Sequence, residues 1–301
     1  MPFAAFLLIV LAAFAHSTWN LLAKRASRNR HFIWFSSVGE VVLLVPLAVW
    51  AARDSWPRLD WKAAIFLLAT GILHLLYTES LRGYRLGDLS VIYPVARGTG
   101  PLFSFLGAIV VLGERPSMVA GAGALLVTCG ILALAGGASV HKDRKDRWGK
   151  DRWGEGQWGK DQWAGPCWGI ATGFTIACYT LVDGYSVKTL LLSPILVDYA
   201  GNLFRMIVLS GGAWRQRTSL SAEYRHCWRE ALGVAVLTPM GYILVLFAMR
   251  MAPVSHVAPA REMSMMIGAY FGYRFLSEGD FKRRVIGSLL IAAGVAALTL
   301  S

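Results

Sequence analysis

The sequence predicts an all-α integral membrane protein with ten transmembrane helices in two inverted five-helix repeats, and three observations carry that expectation. The chain is 55% hydrophobic and only 16% charged, against roughly a quarter charged in an ordinary soluble domain. Apolar windows of about 20 residues, the length that crosses ~30 Å of hydrocarbon, fall near 3–23, 32–52, 62–82, 88–112 and 117–137, and again near 166–187, 195–214, 229–250, 253–276 and 284–300. Third, the stretch RLGDLSVIYPVARGTGPLFSFLGAIVVLGER at 85–115 recurs as AMRMAPVSHVAPAREMSMMIGAYFGYRFLSEGD at 248–280. The register that lays Arg97 on Arg261 also lays Glu114 on Glu278, Gly123 on Gly287 and Gly130 on Gly294. An odd number of spans per repeat forces the halves into opposite orientations, the arrangement of many secondary transporters. The units are therefore 1–137, a linker at 138–165, and 166–301.

Span 1 ends in AHSTWNLLAKR, which sets His16, Trp19 and Asn20 on its later turns before Lys24 and Arg25. Its counterpart, span 6, carries Tyr179 and Asp183 in ACYTLVDGYSVK. Trp19 and Tyr179 either sit at the headgroup level, as such residues commonly do, or face a cavity. Glu40 lies well inside span 2 and Arg205 inside span 7, about one turn apart in the repeat frame, so the two can pair and lock the bundle. Span 3 contributes His74, Tyr77 and Glu79, the first two on one helix face. Span 8 contributes Tyr242 and few charges before Arg250.

Spans 4 and 9 are different in kind, because Pro94, Arg97 and Pro101, and in the second half Pro259, Arg261 and Glu262, interrupt apolar runs. Proline removes a backbone donor, and an ionised group at membrane depth is costly unless paired, hydrated or holding a ligand. Arg97 and Arg261 each fall ~12 to 14 Å into their spans at ~1.5 Å per residue. Guanidinium is the planar fork suited to carboxylate and phosphate, so the two arginines, with Tyr93 beside Arg97, point to a small anion or zwitterion. Their competing role is to pair with Glu40, Glu79, Asp183 or Glu262. Spans 5 and 10 are nearly free of polar groups, and their glycines, Gly123 and Gly130, Gly287 and Gly294, fall on one face of each. Small faces allow close backbone approach, so these spans are read as packing or homodimerisation elements.

Other features exclude functions. A formal charge of +12 would suggest nucleic acid in a soluble protein. Here the basic residues cluster at span ends, where membrane proteins keep them for orientation, and no nucleic-acid partner is expected. Lys and Arg concentrate in the odd-numbered loops, which places both termini outside a cell (inner) membrane. Cys129, Cys167, Cys178 and Cys227 have no metal or redox spacing and are expected to be packing residues. No HExxH or Cys/His cluster supports a metal, no cofactor is implied, and Gly98-Thr99-Gly100 lacks the rest of a dinucleotide fingerprint. Ala13-Phe14-Ala15 could pass for a cleavage site, but no Lys or Arg precedes it, so span 1 is expected to be retained. The linker repeats DRWGK, DRWGE, GQWGK and DQWAG, with Trp148, Trp153, Trp158 and Trp163 at a period of five that fits neither helix nor strand.

The two five-span repeats, the LGER-like exit of span 4, the Gly-rich fifth span and the WNLLAK end of span 1 together resemble the drug/metabolite transporter superfamily, specifically its EamA-type members. The resemblance covers nearly the whole chain apart from the tryptophan linker. It implies two inverted halves, spans 1–4 and 6–9 around a central cavity, and movement of small metabolites by alternating access. Arg97 and Arg261 in mid-span depart from the simplest family pattern. On this view the substrate-binding candidates are Arg97, Arg261, Tyr93, Trp19, Asn20, Tyr179, His16 and Tyr242. The coupling or ion-pairing candidates are Glu40, Glu79, Asp183, Arg205 and Glu262. The competing class is a membrane-embedded transferase or hydrolase using buried Asp, Glu and His groups, which would need larger loops or a metal-like cluster.

Overall fold

A computed structural model describes residues 1–26, 29, 31–80, 89–135, 164–215, 217–276 and 281–301. Among the described residues all regular structure is helical: α1 (Phe3–Ala26), α2 (Phe32–Ser55), α3 (Trp61–Ser80), α4 (Leu89–Leu112), α5 (Met118–Ala135) and α6 (Ala164–Lys188), then α7 (Pro194–Arg215), α8 (Arg217–Met251), α9 (Val254–Ala260), α10 (Ser264–Leu276) and α11 (Phe281–Leu300). Short 3₁₀ turns sit at Trp56–Arg58 and Arg261–Met263. The tryptophan repeat up to residue 163, and Glu278, lie outside the described residues.

Among the described residues, five stretches are long and apolar enough to cross a membrane by length and composition: Phe3–Ala26, Phe32–Arg58, Trp61–Ser80, Val95–Leu112 and Leu220–Met251. Two shorter apolar helices, Met118–Leu134 and Arg284–Leu300, accompany them. The second half is more polar because α6 carries Asp183 and α7 carries Asp198, Asn202 and Arg205. Large apolar side chains lie on the outside, with Val110 83% and Leu289 63% exposed. A surface of that kind belongs against lipid.

Helix ends follow local chemistry. Gly113, at φ +67°, closes α4 in the left-handed conformation that costs glycine nothing. Pro116 then prevents continuation. Pro194 opens α7 at a position where its missing donor is not needed. Span 9, expected as one helix, is instead three pieces. Pro259 cannot donate to the Ser255 carbonyl, and the ladder tightens into the 3₁₀ turn Arg261–Met263 before α10 begins. Pro101 removes the donor for the Arg97 carbonyl in the same way, yet α4 runs unbroken. The other departure is α8, which starts about three turns before the apolar window. Its polar first turns pack Cys227, Ala231 and Val234 on Ala26, Phe32 and Phe35, and Glu223 accepts from His31 at 2.9 Å. Cys227 is thus a packing residue, but Cys129 and Cys167 are exposed, which corrects the expectation that all four cysteines pack.

Helix α1 lies on α8 and α10, α3 on α6 and α7, α2 on α7 and α8, α4 on α6 and α9, and α5 on α11. The larger apolar core gathers at the end of the bundle where α1 begins and α4, α6 and α8 finish; Ile9, Phe105, Val187, Leu192, Met249 and Val254 belong to it. Polar ties close the same end. The Glu114 carboxylate accepts from the backbone amides of Val254 at 2.8 Å and Ser255 at 2.9 Å. Lys188 Nζ reaches it at 3.1 Å. The Ser193 amide donates to Ser55 Oγ at 3.2 Å and the Met1 ammonium to the Thr299 carbonyl at 2.9 Å.

The α5/α11 contact is made backbone to backbone. A Cβ placed on Gly123 would lie 2.8 Å from the Gly294 carbonyl oxygen, and one on Gly294 would lie 2.6 Å from that of Gly123. Gly130 and Gly287 stand in the same relation, at 2.7 and 2.8 Å. The earlier glycine of each helix thus faces the later one of its partner, so the two run antiparallel, and the small faces read from the sequence meet each other within the chain.

Gly130→Val and Gly294→Val should each lower the melting temperature in detergent, since overpacking costs ~1–3 kcal/mol even where side chains can yield, and here the obstacle is main chain. Gly211→Ala, whose Cβ would meet nothing within 4 Å, should leave it unchanged. Glu114, beyond the end of α4, yields a pH prediction. Burial raises its pKa, but the Ser255 and Val254 hydrogen bonds and the Lys188 charge outweigh that and hold it below the ordinary carboxylate value. A carboxyl with a depressed folded pKa stabilises fully above its unfolded value of about 4.3, and the benefit disappears as pH falls through the lower folded one. Glu114→Gln should therefore lower the melting temperature at pH 7, with the gap from wild type narrowing as thermal scans move below pH 4.

Candidate functional site

Midway along the bundle, between the two halves, lies a cavity of about 140 Å³ lined by α1, α3, α4, α6, α7, α8 and the 261–264 break. Its first wall is built on Glu262. This residue is 1% exposed, and its Oε1 lies 3.5 Å from Arg97 Nη1 and 3.5 Å from Arg261 Nε. One carboxylate oxygen is therefore shared by two guanidiniums. Arg97 Nη2 also donates to His16 Nε2 at 2.8 Å, and its guanidinium carbon stands 5.8 Å from the Tyr93 ring. Arg261 is held in the same manner over Tyr179, at 5.7 Å from the ring, with Nη2 3.4 Å from the phenol oxygen. The break is tied to α1 by Ser17 Oγ, which donates to the Ser264 carbonyl at 2.7 Å.

A second cluster centres on Asp183, which is fully buried. Thr70 Oγ1 donates to Oδ1 at 2.6 Å, while His74 Nε2 at 2.8 Å and the Tyr242 hydroxyl at 2.5 Å converge on Oδ2. Three donors on one carboxylate satisfy most of its acceptor sites, so Asp183 orients His74 and Tyr242, which line the cavity. Tyr179 packs at a tilt on His74, 4.7 Å between ring centroids, and edgewise on Tyr242 at 6.3 Å, and Tyr77 lies 5.6 Å from Tyr179.

The third cluster is a chain across α2 and α7. Arg205 Nη2 donates to Glu40 Oε2 at 2.7 Å and to Asn202 Oδ1 at 2.7 Å, and Nε donates to Ser37 Oγ at 3.0 Å. Asn202 Nδ2 then donates to Asp198 Oδ2 at 3.0 Å. Buried charges survive when paired and hydrogen-bonded in this way.

Of the residues singled out in the sequence, His16, Trp19, His74, Tyr77, Arg97, Tyr179, Tyr242, Arg205, Arg261 and Glu262 line the cavity. Glu40 and Asp183 stand behind the wall as partners of Arg205 and of His74 and Tyr242. Tyr93 also stands behind it, its hydroxyl 3.6 Å from Met265 Sδ. Asn20 turns its side chain back onto its own helix, donating to the His16 carbonyl at 2.9 Å. Glu79 is half-buried near the end of α3, away from the cavity lining. Asp198, Asn202 and Thr238 line the cavity without having been singled out. The signal for the first two was the spacing Asp198, Asn202, Arg205, four and then three residues apart, which places all three on one face of α7.

The sequence model of the EamA-like transporter family matches residues 3–136 and 163–300. The chain belongs to the EamA-like transporter family. No curated protein matches it at a significant level. A crystal structure described only as that of a protein superposes with a TM-score of 0.70 at 17% identity, covering 100% of this chain and 98% of its own. Likeness at that identity speaks for the fold alone. As an EamA-like transporter with apolar, outward-facing helices, the protein is a multi-pass membrane transporter.

Asp183→Asn should lower the melting temperature sharply, because an amide keeps only one acceptor oxygen for the three donors of Thr70, His74 and Tyr242, and each buried donor left unmet costs ~1–3 kcal/mol. Tyr242→Phe, which deletes one donor to that carboxylate, should cost ~1.5–3 kcal/mol. Thermal unfolding of both variants in one detergent measures the ordering; a Tyr242→Phe loss as large as that of Asp183→Asn would contradict it.

Proposed function

We propose that the chain is a secondary transporter that moves a small anionic or zwitterionic metabolite across the cell membrane by alternating access. Its ten spans form two inverted five-helix halves, with the cavity as the substrate site. The observation that carries the substrate class is the sharing of Glu262 by Arg97 and Arg261. One carboxylate balances one guanidinium, and a second buried cation leaves a penalty of several kcal/mol. A carboxylate or phosphate bound between the two forks removes that excess and gains charge-assisted hydrogen bonds.

The inverted arrangement draws support from the helix pairings, which occur twice with the halves exchanged. Helix α1 lies on α8 as α6 lies on α3, and α1 lies on α10 as α6 lies on α4. The antiparallel meeting of α5 with α11, equivalent helices by the repeat register, supports it as well. Alternating access draws support from closure at one end of the bundle, where Glu114 of the first half is tied to Lys188, Val254 and Ser255 of the second.

Uptake of a panel of amino acids, hydroxy acids and organic phosphates into proteoliposomes identifies the cargo. Arg97→Lys and Arg261→Lys, which keep the charge but lose the fork, should then weaken transport affinity by roughly tenfold or more, ~1.4 kcal/mol, with melting temperatures near wild type. Wild-type affinity in both variants would overturn the anion site.

A further inference from the structure

A second cavity, of about 220 Å³, lies at the closed end of the bundle and shares no lining residue with the central one. Both halves line it: Glu114, Arg115 and Pro116 follow α4, Lys188 ends α6, and Pro253, Ser255 and His256 stand where the broken span 9 begins. Its charges do not cancel. The one carboxylate, Glu114, already accepts from the Val254 and Ser255 amides and from Lys188 Nζ. An ammonium has three donors, so Lys188 keeps two to give, and its side chain is 32% exposed. Arg115 is exposed and has no ion pair or hydrogen bond among the described residues. The His256 ring nitrogens face the hydroxyls of Ser255 and Ser301. With His256 neutral, two cations against one carboxylate leave the lining one positive charge in excess.

Orientation in the membrane does not account for this pair of cations. Lys and Arg concentrate in the odd-numbered loops, whereas Arg115 stands in the fourth and Lys188 at the start of the sixth, and the fold brings them from different halves to one cavity. Basic pockets between membrane helices hold lipid headgroups, and span ends lie at the headgroup level. Met118, Leu191 and Met251, each within three residues of the lining along the chain, are exposed, and apolar surface of that kind suits acyl chains. We propose that this cavity holds the phosphate of an anionic phospholipid between Arg115 and Lys188, so that one lipid bridges the two halves where Glu114 ties them. The guanidinium fork matches phosphate oxygens, and a headgroup of net negative charge cancels the excess that a zwitterionic one leaves in place. Free phosphate offers the same oxygens without acyl chains, so the two sources are separable. Neither Arg97 nor Arg261 takes part, and the site stands whatever the central cavity carries.

A ligand that binds the folded chain raises its stability. Melting temperatures of the purified full chain are therefore compared in nanodiscs of phosphatidylcholine alone, with phosphatidylglycerol mixed in, and with inorganic phosphate added instead. Phosphatidylglycerol should raise the melting temperature, and Arg115→Gln should lose most of that rise. Because Arg115 takes no part in the ties around Glu114, the variant should match wild type in phosphatidylcholine alone. Arg58→Gln is the control: Arg58 is an exposed cation of the same end that donates to the Asp54 carbonyl of its own segment, and this variant should keep the rise. Native mass spectrometry gives a second readout. Phosphatidylglycerol retained by the wild type through detergent should fall roughly tenfold or more in Arg115→Gln, the worth of a hydrogen bond between charged groups. Equal losses in Arg115→Gln and Arg58→Gln overturn the proposal, because the attraction then belongs to the whole surface. No rise with phosphatidylglycerol, or a rise that survives in Arg115→Gln, overturns it as well. An Arg115-dependent rise as large with inorganic phosphate overturns the lipid and makes the cavity a site for a soluble phosphate.

Discussion

Everything at the centre of this bundle follows from two guanidiniums held at one carboxylate. Arg97 and Arg261 come from equivalent places in the two halves, and Glu262 is the next residue after one of them, so the site is pseudo-symmetric in its cations and asymmetric in its anion. The helix break supplies that asymmetry. Where α4 remains an unbroken helix past Arg97, the second half tightens into a 3₁₀ turn at Arg261–Met263, and the turn carries Glu262 into the wall between both arginines. Ser17, His16, Tyr93 and Tyr179 then hold the arginines and the break in place with neutral groups, which keeps the charge balance of the wall unaltered.

The remaining buried charges obey the same constraint by different means. Asp183 is surrounded by neutral or histidine donors, and Arg205 is flanked by Glu40, Ser37 and Asn202. Both clusters are complete within the protein and fix the orientation of cavity residues. The Glu262 wall is the exception, since it retains an unmet acceptor. In a low-dielectric interior, satisfied polar networks stiffen a structure and unsatisfied ones are high in energy. The contrast separates two completed networks from a wall in which one acceptor is left unmet.

Much of this was legible in the chain. The five helices long and apolar enough to cross a membrane were visible because the bilayer demands about 20 apolar residues from each, and Arg97 and Arg261 stood out because charge within an apolar run is rare. The repeat register also revealed the glycines of α5 and α11. The partner of those glycines was not legible, because a small face permits contact with a sister helix or with another copy equally well. Asp198 and Asn202 escaped notice because each alone looks like a polar residue near a span end; only their common face with Arg205 distinguishes them. Asn20 was a false lead, since a helical asparagine has its own upstream carbonyl within reach. The long start of α8 was hidden by its polarity, because hydropathy marks where a helix meets lipid and not where it begins.

The glycine seam has a mechanical consequence. At two glycine pairs the main chains of α5 and α11 meet directly, with Val127, Leu134, Ile291 and Leu298 packed around the crossings, and packed interfaces change by switching between discrete packings rather than by stretching. Were the cavity to open at each end in turn, as proposed, this pair would be the axle, a spindle about which the other helices swing in an unchanged register.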